Sequence, residues 1–166
     1  MGLLTFKGGI HPNDGKSLAK DKAIVEVLPE GDLVFPLSQH IGAPAAPIVK
    51  VGDQVLKGQK IAEAGGFVSA PVYSSVSGKV KAIAPYFTPT GGKVSSIIVE
   101  NDGAYTEAER LSTRPLEMLS KEEILNLIAE AGIVGMGGAG FPTRVKLSPK
   151  EPEKIEYVIA NCAECE

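Results

Sequence analysis

Tryptophan is absent from this sequence, and the aromatic residues that remain, four Tyr and five Phe, make up 5% of it. Any core must therefore be assembled from Val, Ile, Leu and Ala. No uninterrupted apolar run approaches the roughly 20 residues a membrane-spanning helix needs. The first residues lack the charged-then-apolar order of a secretory signal, and Phe6 stands where a myristoylation signal carries Ser or Thr. Positive charge is not concentrated either. The net charge is −3 and no basic cluster interleaves with aromatics, so nucleic acid is not an expected partner. Cysteine is scarce, and its two copies, Cys162 and Cys165, form a C-x-x-C. That spacing suits a redox pair or half of a metal site. No second Cys or His pair lies near it, and His11 and His40 are distant in sequence, so no metal site is expected within the chain. Two thiolates alone cannot supply the four ligands of an iron–sulfur cluster.

What is present is an ordinary globular balance, 43% hydrophobic and 22% charged, with 19 Gly and 12 Pro that imply many turns and short strands. A length of 166 residues suffices for one small domain and part of another. Residues 1–38 combine the turn Gly8-Gly9 with strand-like runs at 23–27 and 33–37, and read as an N-terminal extension packed on the next unit. Between residues 39 and 103 the pattern changes to short alternating segments at 47–51, 59–64, 67–72, 78–84 and 94–100. Each is bounded by Gly, Pro, Asp or Ser, as in a small sandwich or barrel. The stretch from Ile48 through Gly52-Asp53 and Lys57-Gly58-Gln59 to Ala64, then Ala70-Pro71-Val72 and Ser77-Gly78-Lys79-Val80, resembles biotinyl and lipoyl carrier domains. Carriers hold their modified lysine at the hairpin tip. Here the tip reads Gly65-Gly66-Phe67, which makes the unit a scaffold of barrel-sandwich hybrid type. A carrier or scaffold acting purely through protein contacts is the alternative reading of the whole chain.

Residues 104–119 are polar, interrupted by Pro115, and read as a linker. Ser120-Lys121-Glu122-Glu123 then forms a capping box, Ile124, Leu125, Ile128 and Ala131 share one helical face, and Gly132 is placed to end the helix. Beyond it comes Gly135-Met136-Gly137-Gly138-Ala139-Gly140-Phe141-Pro142. Its spacing satisfies a dinucleotide fingerprint, yet a helix precedes it and a proline follows, so the strand-to-helix context is missing. So dense a glycine run can reach positive φ and bring N–H groups close to an anion, with Lys146 adding a point charge. Pro142 can open a short helix carrying Arg144, Lys146 and Leu147. A strand at 156–160 leads into Asn161-Cys162-Ala163-Glu164-Cys165-Glu166, where one amide and two carboxylates suit polar ligand edges.

Gly8-Gly9-Ile10-His11-Pro12, Gln39-His40-Ile41-Gly42-Ala43-Pro44-Ala45, Gly66-Phe67-Val68-Ser69-Ala70-Pro71-Val72, Ala131-Gly132-Ile133-Val134-Gly135 and Phe141-Pro142-Thr143 through Lys146-Leu147 together resemble RnfC. RnfC is the peripheral, cytoplasm-facing subunit of the ion-translocating Rnf electron-transport complex. The glycine loop and the closing motif also resemble the flavin- and NADH-binding subunit of respiratory complex I. The resemblance implies a mainly β chain, a barrel-sandwich hybrid at 39–103 followed at 120–166 by the start of an α/β flavin-binding domain. It implies electron exchange between NAD(H) and iron–sulfur clusters through FMN, with other Rnf subunits as partners and ferredoxin reached indirectly. By position, flavin and nicotinamide contacts fall on Gly135, Gly137, Gly138, Gly140, Lys146, Asn161, Glu164 and Glu166. Met136 stands where the complex I relative has arginine, and Cys162 where RnfC proteins usually have glycine. The family continues into the rest of the flavin domain, a further β-rich domain and segments binding 4Fe-4S clusters. The expectation is thus an N-terminal piece that alone holds no cluster and no tightly bound flavin.

Overall fold

The computed structural model describes residues 13, 15–89, 91–109 and 113–159. Among them, seven strands form two antiparallel sheets. The first runs in the order β1 (Asp32–Pro36), β7 (Lys93–Asn101), β6 (Gly78–Phe87), β3 (Gln54–Val55); the second runs β2 (Ala46–Pro47), β4 (Lys60–Glu63), β5 (Val72–Tyr73). Val55, Ile61, Val76, Val80, Ile97 and Val99 pack between the sheets, all at or below 1% exposure, with Phe35 and Leu37 closing one end. These β-branched and aliphatic side chains take the place of the missing tryptophan, because one inward residue from each short strand fills the gap between two pleated faces. The fold is mainly β, a barrel-sandwich hybrid.

The expected strands at 78–84 and 94–100 form and extend into the long β6–β7 hairpin, paired from Gly78↔Asn101 to Phe87↔Lys93 with one bulge between Val80 and Ala82. The run at 59–64 becomes β4. The run at 33–37 becomes β1, which pairs with β7 from Asp32↔Glu100 to Pro36↔Ser96 and so is a strand of the sheet itself. Three expected strands are shorter or absent. Of 47–51 only Pro47 is in a strand, because Asp53 Oδ2 captures the Lys50 amide at 3.0 Å and turns the chain. Of 67–72 only Val72 is in a strand, because the Ala70 amide goes to His40 and Pro71 has no N–H to offer a ladder. Residues 23–27 form none, and Ile24, Val25 and Val27 lie exposed, since among the described residues nothing pairs with the outer edge of β1.

The polar segment after β7 is stitched to the sandwich before it leaves. The Ser77 hydroxyl donates to Asp102 Oδ1 at 2.7 Å and accepts from the Thr106 amide at 2.9 Å. The Asp102 carboxylate is held below its ordinary range by that hydroxyl and by the Ala104 amide. Lys57 N–H donates to the Thr106 carbonyl at 2.9 Å, and the Lys57 carbonyl accepts from Ala108 N–H at 2.8 Å. Tyr105, at φ 51°, sends its hydroxyl to the Pro29 carbonyl at 2.5 Å. The chain then reaches α1 (Lys121–Glu130).

Candidate functional site

Helix α1 begins as its sequence predicts. The Ser120 hydroxyl accepts from the Glu123 amide at 3.3 Å, and the Glu123 carboxylate accepts from the Ser120 amide at 2.9 Å. Bonds from the Ser120 amide and hydroxyl, with Arg114 at 3.0 Å, hold the Glu123 carboxyl down at about 2. The helix ends in a Schellman motif: Gly132 N–H returns to the Ala129 carbonyl at 3.0 Å and Ile133 N–H to Ile128 at 3.3 Å. Gly132 takes φ +66°, as the motif requires.

The glycine loop follows at once, and its neck is closed. Gly135 N–H donates to the Phe141 carbonyl at 2.9 Å, Thr143 N–H donates to Ile133 at 3.0 Å, and Val134 bridges Pro142. Residues 136–139 form the exposed crown of this loop, and their amides make no hydrogen bond to another described residue. The left-handed φ found in the loop is that of Gly140, at +65°. A Cβ built on Gly138 would meet nothing within 4 Å. Pro142 opens α2 (Thr143–Lys146), a single turn with Leu147 as its C-cap. Lys146 folds back, so that a Cβ on Gly135 would lie 2.4 Å from its Nζ. The structure therefore brings Gly135, Gly137, Gly138, Gly140 and Lys146 into one loop and its return. Asn161, Glu164 and Glu166, with Cys162 and Cys165, lie outside the described residues.

A set of contacts that the sequence did not announce fastens this loop to the sandwich. Lys60 Nζ reaches Glu130 at 2.5 Å and Glu63 at 3.1 Å, and the Tyr73 hydroxyl donates to the Glu130 carbonyl. Burial alone would lower the Lys60 pKa, but its bonds to Glu130 and Glu63 outweigh it and the pKa rises. Burial pushes the Tyr73 hydroxyl up against the opposing pull of the Lys60 ammonium, with the Glu130 and Glu63 carboxylates adding to the rise. Gly132 lies against the Pro71 carbonyl and the Tyr73 ring, and Gly140 against Gln39 and His40. Between the hairpin tip and the loop is a cleft of about 200 Å³ lined in part by Phe67, Pro71, Ile133 and Arg144. That is below the roughly 300 Å³ at which small-molecule sites begin. A larger depression, about 710 Å³ around Lys57, Tyr73 and Glu107, touches none of the loop glycines.

The predicted strand at 156–160 is absent over 156–159, and residue 160 lies outside the described residues. Tyr157, Val158 and Ile159 are 81–92% exposed, because among the described residues no neighbouring strand offers them a ladder. Among the described residues no cluster of His, Cys, Asp and Glu could hold a metal ion, and no helix is long and apolar enough to cross a membrane.

Comparison with known proteins gives two family matches. The RnfC barrel-sandwich hybrid domain family matches residues 4–104, and the Nuo51 FMN-binding domain family matches residues 128–166. The chain is 49% identical over 99% of its length to a subunit of the proton-translocating ferredoxin:NAD(+) oxidoreductase complex of Clostridium ljungdahlii, covering 36% of that protein. It is 44% identical over 98% of its length to the corresponding subunit of the Na(+)-translocating ferredoxin:NAD(+) oxidoreductase complex of Acetobacterium woodii, covering 37% of it. Against the like subunit of the ion-translocating oxidoreductase complex of Haemophilus influenzae it is 38% identical over 99% of its length, covering 25% of that relative. The chain thus spans 20–37% of the length of relatives it matches. With a sandwich built as above and a family match over most of its length, this chain belongs to the RnfC family.

Proposed function

We propose that this chain is the amino-terminal part of a subunit that passes electrons between NAD(H) and iron–sulfur clusters through FMN, in a membrane ion-pumping ferredoxin:NAD oxidoreductase. The observation that carries the reading is the exposed glycine crown with unpaired amides at residues 136–139 and a lysine folded back on its first glycine. Its chemistry fits the group. Exposed N–H donors without a partner among the described residues, and one ammonium beside them, suit a phosphate monoester, and the open space at Gly138 is where a side chain would collide with it. In this reading Gly135, Gly137, Gly138 and Gly140 bring their backbone to the FMN phosphate, and Lys146 supplies charge there. Asn161, Glu164 and Glu166 line the flavin and nicotinamide edges. Bound FMN would supply the exchange between a two-electron hydride donor and one-electron carriers; this segment binds and orients it.

The 4Fe-4S clusters belong to polypeptide beyond this segment. The partners are the other Rnf subunits, with ferredoxin reached through them. The place is the cytoplasmic face of the membrane, held there by those subunits. The relatives' names, which describe ion-translocating ferredoxin:NAD(+) oxidoreductase complexes, support this reading. The test is to purify the full-length subunit, extract its flavin, and follow flavin absorbance on adding NADH. Stoichiometric FMN bleached by NADH is the expected result. A flavin-free protein that stays flavin-free on reconstitution would end the proposal.

A further inference from the structure

The fold holds a buried imidazole that the flavin reading leaves without a role. His40 is 7% exposed and lies in the motif Gln39-His40-Ile41-Gly42-Ala43-Pro44-Ala45 at the tip end of the sandwich. Its Nε2 lies 3.1 Å from the Ala70 amide and 3.0 Å from the Ala70 carbonyl, and its Nδ1 faces the Ile41 carbonyl at 3.2 Å. A ring with its hydrogen on Nδ1 donates to Ile41 and accepts from Ala70 N–H. One imidazole thereby joins the loop after β1 to the loop before β5. The same two loops are crossed by Ala43 N–H to the Val68 carbonyl at 2.9 Å and by the Ser69 hydroxyl to the Ala43 carbonyl at 2.7 Å.

On the outer side of that junction rests the last glycine of the loop. A Cβ on Gly140 would stand 2.9 Å from the Gln39 carbonyl, 3.1 Å from His40 Cα and 3.7 Å from His40 Cβ. Gly140 is also the buried residue at the base of an otherwise exposed crown. Its position is set by the backbone at residues 39–40, which in turn is fixed by the imidazole beneath. In carrier domains this end of the fold presents a modified lysine. Here Gly65-Gly66-Phe67 offers none, and the neighbouring surface carries a loop from the next unit instead.

We infer that His40 is a positioning residue for the phosphate-binding loop: by locking the two tip loops of the sandwich together it fixes the seat of Gly140, and through it the amides of residues 136–139. The inference rests on the flavin reading above. It assigns the sandwich the task of pre-organising the cofactor loop. Amides held at a fixed spacing bind an anion without first being ordered, and a displacement on the order of 1 Å forfeits much of that advantage.

The experiment uses the full-length subunit, stripped of flavin, as wild type, His40→Ala, His40→Gln and Gly140→Ala, each titrated with FMN and with riboflavin while its melting temperature is recorded. Riboflavin lacks the phosphate, so the ratio of the two affinities reports the loop and is insensitive to general loss of stability. His40→Ala should weaken FMN about tenfold and riboflavin less than about threefold, equivalent to losing one charged hydrogen bond. Gln, whose Oε1 can accept from Ala70 N–H, should restore most of the preference. Gly140→Ala drives the loop off the same seat from the other side, and should erase the preference even where His40→Ala does not fold. A folded His40→Ala protein with unchanged FMN preference overturns the inference. So does a Gly140→Ala protein that keeps the preference. If wild type itself binds FMN no better than riboflavin, the loop is not a phosphate seat, and the flavin assignment fails along with this one.

Discussion

Two adjacent glycines at the hairpin tip should respond very differently to the same added methyl group. A Cβ on Gly65 would lie 2.0 Å from the Pro44 carbonyl oxygen, backbone against backbone, whereas on Gly66 its nearest neighbour is the Ala43 Cβ at 3.5 Å, an ordinary contact. Neither residue has a left-handed φ, so the contrast is steric and not conformational. To accommodate Gly65→Ala, the 43–45 and 65–69 loops must part by about 1.4 Å. That motion strains the two bonds that cross between these loops, the Ser69 hydroxyl to the Ala43 carbonyl at 2.7 Å and Ala43 N–H to the Val68 carbonyl at 2.9 Å. Two bonds at about 1 kcal/mol each, one with a largely buried hydroxyl, give a loss of about 2–3 kcal/mol. For a chain of this size that is a fall in melting temperature of about 4–10 °C. Gly66→Ala should stay within about 0.5 kcal/mol. Urea unfolding of the two variants side by side measures the difference. Equal stability would refute the close approach of the tip loops on which the seat for the glycine loop is built.

Removing the apolar centre should cost more: Ile61 is fully buried between the sheets, so Ile61→Ala should destabilise by about 2–5 kcal/mol in the same assay, and a loss under about 1 kcal/mol would mean the core is assembled differently. Helix α1 should be acid-sensitive. The Glu123 carboxyl is depressed to about 2 in the fold from an ordinary 4.5, so its stabilisation is complete above the higher value and is lost as pH falls through the lower. Glu123→Gln keeps an acceptor in the capping box without a titrating group, and should flatten the loss of helical circular dichroism over that range. An identical acid profile in both proteins would contradict the assignment.

Local chemistry made much of this structure readable. The Ser120 box and the Gly132 stop each depend on residues within a few positions, and each forms as its sequence predicts. The β6–β7 hairpin is legible because alternation over many residues leaves one register that buries Val80, Ile97 and Val99 together. What could not be read is what depends on distant chain. Residues 23–27 and 156–159 have strand composition, but a strand exists only where a partner offers its ladder. The seat beneath Gly140 is formed by Gln39 and His40, remote in sequence, and no spacing rule joins them. His40 carried a signal of another kind, an uncommonly buried polar side chain, which only a structure reveals. Within the loop, the freedom that four glycines offer is used for a left-handed turn at Gly140 and, at Gly138, for open space.

That open space provides the most direct measurement. In the free protein a methyl group at Gly138 meets nothing within 4 Å and no left-handed φ is involved, so Gly138→Ala should leave the melting temperature of the full-length subunit unchanged. If the flavin phosphate occupies the crown of the loop, the same methyl group stands in its way, and FMN affinity should fall about tenfold or more, the equivalent of one lost bond to a charged oxygen. Unaltered stability with weakened FMN binding is the predicted result. Unaltered stability with wild-type FMN affinity would show that the glycine loop is a structural turn and that the flavin phosphate is held elsewhere.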